Sequence, residues 1–158
     1  MAYEYIPILG ESVKSGVAIE LLKAFPTIIP YREQITEPAF PHFFIEQLTM
    51  SANEERKRKW WLNYLITIRY RVAADIALVR NLQADLDSMS LGLLAELQTI
   101  NLGRFTIPFR SPRTEKSDGV LFYFANFQFQ VSKEEAEEIK MQTLELDRQL
   151  KLSIERVN

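Results

Sequence analysis

The most constraining feature of this chain is the run from Lys59 to Arg71. In an extended conformation Trp60, Leu62, Tyr64, Ile66, Ile68 and Tyr70 fall on one side, and Trp61, Asn63, Leu65, Thr67, Arg69 and Arg71 on the other. Apolar and mixed residues that alternate with period two over such a length specify a long β-strand with one buried face and one mostly wet face. A strand of this kind needs partners. The Phe- and Ile-rich stretch from Phe40 to Met50 predicts a second strand, and the polar stretch Ser51 to Arg58 between them reads as an exposed loop. Together they make a long antiparallel hairpin.

The rest of the chain supplies what that hairpin packs on. Residues 11–25 carry Val13, Val17, Leu21, Leu22 and Phe25 at three-to-four spacing and end at Pro26, which predicts a helix. Gly16 within it costs about 1 kcal/mol relative to alanine. Thr27 to Gln34 reads as a short strand, placed at a sheet edge because Pro30 has no N–H for a ladder. Thr36-Glu37-Pro38 reads as a turn. Ala73 to about Leu91 predicts a helix with the stripe Ile76, Val79, Leu82, Leu86 and Met89; its pattern could run on to Leu97, but Gly92 argues for an earlier stop. Glu96–Ile100 and Arg104–Phe109 read as extended, with Gly103 as a bend. Ser111 to Gly119 reads as a turn, on its Ser-Pro and Asp-Gly pairs.

Val120 to Val131 predicts a long aromatic strand. Its first half is apolar on both faces, while Phe127, Phe129 and Val131 oppose Asn126, Gln128 and Gln130 in the second. Ser132 then opens a final helix, with Glu135 three residues on in the capping-box pattern. Glu134, Glu135, Glu137 and Glu138 occupy its first turns, where the helix dipole favours negative charge. Ile139, Thr143, Leu146, Leu150, Ile154 and Val157 form one narrow stripe. That stripe can fold back on the chain's own sheet or dock on a neighbouring subunit. Adjacent strands without intervening helices define an α+β fold. Its antiparallel or mixed sheet carries a long hairpin and flanking helices, with a C-terminal helical extension. The expected division is an α+β domain over residues 1–131 and a helix extension over residues 132–158.

Composition narrows the function classes. The chain has 158 residues, enough for one domain with its own core. Its formal net charge is -2, so no overall field draws it to nucleic acid. It contains no cysteine, which excludes disulfides, thiolate metal sites and cysteine nucleophiles. Met1 to Gly10 carries no basic, apolar leader pattern, and no apolar run approaches the roughly 20 residues that span a bilayer, so a soluble protein is expected.

Little in the sequence supports an enzyme. His42 is the only histidine, and it reads as a strand residue near a sheet edge, with no Gly-x-Ser-x-Gly elbow to serve. The five glycines are scattered, so no phosphate loop or dinucleotide fingerprint forms. No spacing of Asp, Glu and His suggests a metal site, and no cofactor is expected. One basic-aromatic cluster stands out: Arg56, Lys57, Arg58 and Lys59 followed by Trp60 and Trp61. It reads as a charged hairpin tip, or as a contact for an acidic partner or nucleic acid. The candidate contact residues are therefore Arg56, Lys57, Arg58, Lys59, Trp60, Trp61, Phe122, Phe124, Phe127, Ile139, Leu146 and Leu150. These belong to an action through surfaces rather than through a reactive group.

The segment Asp118-Gly119-Val120-Leu121-Phe122-Tyr123-Phe124-Ala125-Asn126-Phe127-Gln128-Phe129 resembles the C-terminal turn and strand of the phage tail terminator family of Firmicutes phages and prophages. The element order over roughly residues 10–131 is similar as well, although the stretch before Asp118 is longer and the helix after Ser132 is added. The resemblance implies a hexameric ring on the head-proximal end of a tail tube, which stops tube polymerisation and meets head-completion proteins. It implies contact with the tube protein and, in contractile tails, with the sheath. It implies no catalysis, no cofactor and no membrane, with nucleic acid at most passing through the ring lumen. The place implied is the virion tail, assembled in the bacterial host cytoplasm. The competing readings are another neck or tube-like component, a small nucleic-acid-binding module on Arg56–Trp61, and a small hydrolase with His42 as base.

Overall fold

The computed structural model of the chain describes residues 5–55, 59–72, 82–102 and 105–157. The elements run α1 (Tyr5–Ala24), β1 (Ile29–Tyr31), β2 (His42–Glu55), β3 (Lys59–Arg71), α2 (Leu82–Glu96), β4 (Thr99–Leu102), β5 (Phe105–Pro108), β6 (Arg110–Ser117), β7 (Val120–Ser132) and α3 (Lys133–Val157). This is the expected α+β class. Five strands form one sheet in the order β1-β2-β3-β7-β6, and β4-β5 form a separate two-stranded ribbon. All pairs in the main sheet are antiparallel except β1 on β2. The short strand with Pro30 does lie at an edge, where a missing N–H leaves no ladder bond unmade in the interior.

The alternation in β3 decides which way the sheet faces. Leu62, Tyr64, Ile66, Ile68 and Tyr70 are all buried. Register then aligns β7 with it: Leu62 opposite Phe129, Tyr64 opposite Phe127, Ile66 opposite Ala125 and Ile68 opposite Tyr123. These side chains, with Phe43 and Ile45 of β2, form the inner face. Upon it lie Val13, Val17 and Leu21 of α1, Leu86 and Leu93 of α2, and Phe109, whose ring meets Tyr123 and Phe127 at 6.2 and 4.7 Å. Buried apolar area of this kind is the main source of stability in a chain without cross-links.

Three expectations need correction. Ser51 to Glu55 is not loop: β2 continues to Glu55, pairing Ser51 with Asn63 and Glu55 with Lys59. A polar stretch stays extended when the partner strand already offers ladder bonds, and here Ala52 still packs inward. Only residues 56–58 remain for the tip, and they lie outside the described residues. Ser111 to Ser117 is not turn either, but part of edge strand β6. The turn is confined to Asp118-Gly119, both at positive φ (50° and 75°), the two-residue geometry that Asp-Gly favours. Gly92 does not stop α2, which runs on to Glu96. A Cβ there would sit 3.3 Å from the Phe25 ring, so the glycine admits that ring against the helix. The predicted helix segment from Ala73, with Ile76 and Val79, lies outside the described residues up to residue 81. β7 lies between β3 and β6, the interior place that a strand apolar on both faces suits, and within the chain its burial alternates along its whole length.

The expected start of α3 is present in full. Glu135 N donates to Ser132 Oγ and Ser132 N donates to Glu135 Oε1, each at 3.1 Å. Two otherwise orphaned donors are thereby satisfied. Ser132→Ala should lower stability by about 1 kcal/mol, read as a reduced urea midpoint at unchanged slope.

α3 resolves the alternatives left open for its stripe by lying along α1. Ile139 and Leu150 are buried in the same core as the sheet residues. The rest of the contact is polar. Ser15 Oγ donates to Asp147 Oδ1 at 2.8 Å, Arg32 Nη1 donates to Ser15 Oγ at 2.7 Å, and Arg32 also pairs with Asp147. Ser12, fully buried, meets Thr143 through their hydroxyls. Two serines on the outer side of α1 are thus matched by Thr143 and Asp147, one turn apart on α3.

Candidate functional site

Among the described residues the helices and the β4-β5 ribbon sit on the inner face of the sheet, and no helix or strand covers the other face; the loop between β1 and β2 folds over one end of it, where Glu33, Ile35 and Phe40 line a pocket with Phe44, Arg69 and Arg71. Down the middle of that open face run Leu65, Thr67 and Arg69 of β3 beside Asn126, Phe124 and Phe122 of β7. Phe44 and Glu46 of β2 flank them on one side, and Arg113 and Glu115 of β6 on the other. Trp61, 37 % exposed, lies toward the hairpin tip.

The aromatic rings here are held in place rather than left loose. Phe122 and Phe124 stack with centroids 6.4 Å apart and an interplanar angle of 16°. The Arg69 guanidinium lies 4.5 Å from the Phe44 ring centroid, and that of Arg113 lies 4.3 Å from Phe124. Arginine over an aromatic face gains cation–π attraction and shields the ring from water while keeping donors available. The same two arginines reach Glu46 (3.4 Å) and Glu115 (2.6 Å). Thr67 Oγ1 and Arg69 Nε are buried without a hydrogen-bond partner among the described residues. Such a surface, with aromatic rings and arginines interleaved, is suited to docking a macromolecule.

Neither edge of the sheet offers a comparable route. β1 is only three residues long and contains Pro30. β6 carries Pro112, a register shift between Arg110 and Arg113, and the charges of Arg113, Glu115 and Lys116. Short length, proline, bulges and charge all discourage a foreign strand from adding to an edge.

The residues singled out from sequence fall into three groups. Arg56, Lys57 and Arg58 lie outside the described residues. The remainder of that cluster is divided by the pleat: Trp60 turns inward opposite Val131, while Lys59 and Trp61 are exposed. Phe122 and Phe124 belong to the open face. Phe127, Ile139 and Leu150 are buried within the chain itself, and Leu146 is half-buried. The sequence reading missed Phe44, Arg69 and Arg113 as contacts, although the alternation in Lys59–Arg71 already set Arg69 on the outer side. Arg113 was hidden by the turn assigned to it.

His42 begins β2, opposite Ile29 of the edge strand. It is 6 % exposed, its Nδ1 lies 3.0 Å from the Ala39 carbonyl oxygen, and its ring meets Phe40 and Tyr31 at 4.8 and 5.6 Å. Burial pushes its pKa below the ordinary 6.5; the Ala39 carbonyl opposes this, and Arg71 and Arg69 reinforce it. The folded chain therefore favours neutral imidazole, while the unfolded chain takes up a proton near 6.5. Stability should be level above about pH 7 and fall as pH drops through about 6.5. His42→Phe should flatten that slope in urea midpoints between about pH 5.5 and 7.5.

A chain that shields one side of its sheet and leaves an ordered aromatic-arginine surface on the other is, as a class, an assembly subunit. The family model described as phage tail terminator protein matches residues 12–139, and the chain belongs to that family. Membership makes it a structural protein of tail assembly, interacting with other tail proteins and located in the virion tail. No curated protein matches the chain. No helix among the described residues is long and apolar enough to cross a membrane.

Proposed function

We propose that the chain caps the head-proximal end of a tail tube as a closed ring of identical copies, a hexamer, which stops tube polymerisation and joins the tail to the neck or head. It works without catalysis or a cofactor, through contacts with tube protein, neck protein and, where the tail contracts, sheath. It is assembled in the bacterial host cytoplasm. The observation that carries this reading is the uncovered sheet face with Phe44, Arg69, Phe122, Phe124 and Arg113. A ring subunit must present one surface to its neighbour and another to the structure beneath, and only a heterologous contact closes by rotation. The guarded edges favour the same reading over a tube-like component, because a capping subunit should not extend itself strand by strand.

The test is electron microscopy of the purified protein, alone and added to polymerising tube protein. Discrete rings alone, and tubes shortened in proportion to added protein, are the expected results. Open-ended tubes formed by this chain alone, or tube lengths indifferent to it, would overturn the proposal.

A further inference from the structure

The outward side of α3 is chemically complementary to the open sheet face. Glu134, Glu137, Met141 and Glu145 recur at three-to-four spacing and are all exposed. Met141 is 78 % exposed, the most exposed large apolar side chain among the described residues. The N-terminal half of α3 therefore presents an apolar knob with the carboxylates of Glu134 and Glu137 before it, while Glu145 beyond it is paired with Arg148 at 2.7 Å. The open face presents aromatic rings among cations: Arg69, Arg71, Arg110 and Arg113 outnumber Glu46, Glu115 and the adjoining Glu33 there. Dimensions agree as well. From Glu134 to Glu145 a helix rises roughly 16 Å. The four strands β2, β3, β7 and β6 span about 14 Å from first to last.

Within one chain these surfaces cannot meet, since α3 lies against α1 on the opposite side of the sheet. We propose that α3 of one copy lies across the open sheet face of the next, its Met141 on Phe122 and Phe124 and its glutamates toward Arg69 and Arg113. The proposal rests on the ring reading and names the contact that builds the ring. Methionine adapts to aromatic surfaces through its flexible, polarisable thioether. The carboxylates give the contact its direction, because an α3-to-α3 or face-to-face encounter brings like charges together.

Charge reversal tests this. Arg69→Glu/Arg113→Glu makes the sheet face acidic, and Glu134→Lys/Glu137→Lys makes α3 basic. Each double variant alone should lose self-association by about tenfold or more in sedimentation velocity and native mass measurement. Mixed in equal amounts they should recover rings of alternating subunits, since every junction is again between unlike charges. Circular dichroism melts confirm that each is folded; if one is not, the single changes Arg113→Glu and Glu137→Lys replace the doubles. Wild-type rings with variants that still form them would overturn the contact and leave the ring standing. Variants that dissociate but do not rescue each other would also overturn it. A wild-type chain that stays monomeric would remove ring and contact together.

Discussion

Phe127→Ala should cost about 3–5 kcal/mol, the range for removing a buried phenylalanine from a packed core. Phe127 is fully buried, stands opposite Tyr64 in the central strand pair, and has the Phe109 ring 4.7 Å away. β3 holds the strand from one side and Phe109 covers it, which limits collapse into the space. Total stabilities of domains this size are about 5–15 kcal/mol, so the loss is a large share and should appear as a much lower urea midpoint. Asn126→Ala, one residue earlier and on the open face, should change stability by only about 0.5 kcal/mol. Comparable losses at both positions would contradict a sheet with one covered face.

Leu150→Asp should release the C-terminal half of α3 while the sheet stays folded. Leu150 is fully buried, and a charge there is held away from water without a partner, at a cost of several kcal/mol. Detaching the helix is the cheaper response, because much of what it covers on α1 is polar already, including Ser12 and Ser15. The capping box and Ile139 still anchor its first turns. Amide exchange should therefore become fast beyond about Thr143 and stay slow in β3 and β7. Loss of protection in all elements at once would show that α3 and the sheet unfold as one unit, against the expected division at residue 131.

The long strands were legible because each carries its own evidence. Lys59–Arg71 announces a one-sided strand by alternation alone, and Ser132 with Glu135 announces a helix start by local hydrogen bonding. The edge place of Pro30 followed from a missing donor. Misreadings arose where a neighbour, rather than the residue itself, decides. Ser51–Glu55 looks like loop and Ser111–Ser117 like turn by composition, yet β3 and β7 hold them extended through backbone ladders that do not depend on side-chain type. Gly92 looks like a stop until the Phe25 ring is placed against it.

The candidate site shows the same division. Phe122 and Phe124 could be marked from sequence, but Phe127, two positions beyond Ala125 on the inner face, could not be separated from them by hydrophobicity. Likewise Ile139 and Leu150 form a stripe that needs a partner, and sequence does not say that the partner is α1 of the same chain. The sequence by itself determined the alternation, the helix cap at Ser132 and the family to which the chain belongs, since these are written in local spacing and motif. Only the tertiary structure decided which side of the sheet stays open, because that depends on where the helices and the β4-β5 ribbon settle. Periodicity distinguishes two faces of a strand, but burial is assigned by what comes to lie upon them.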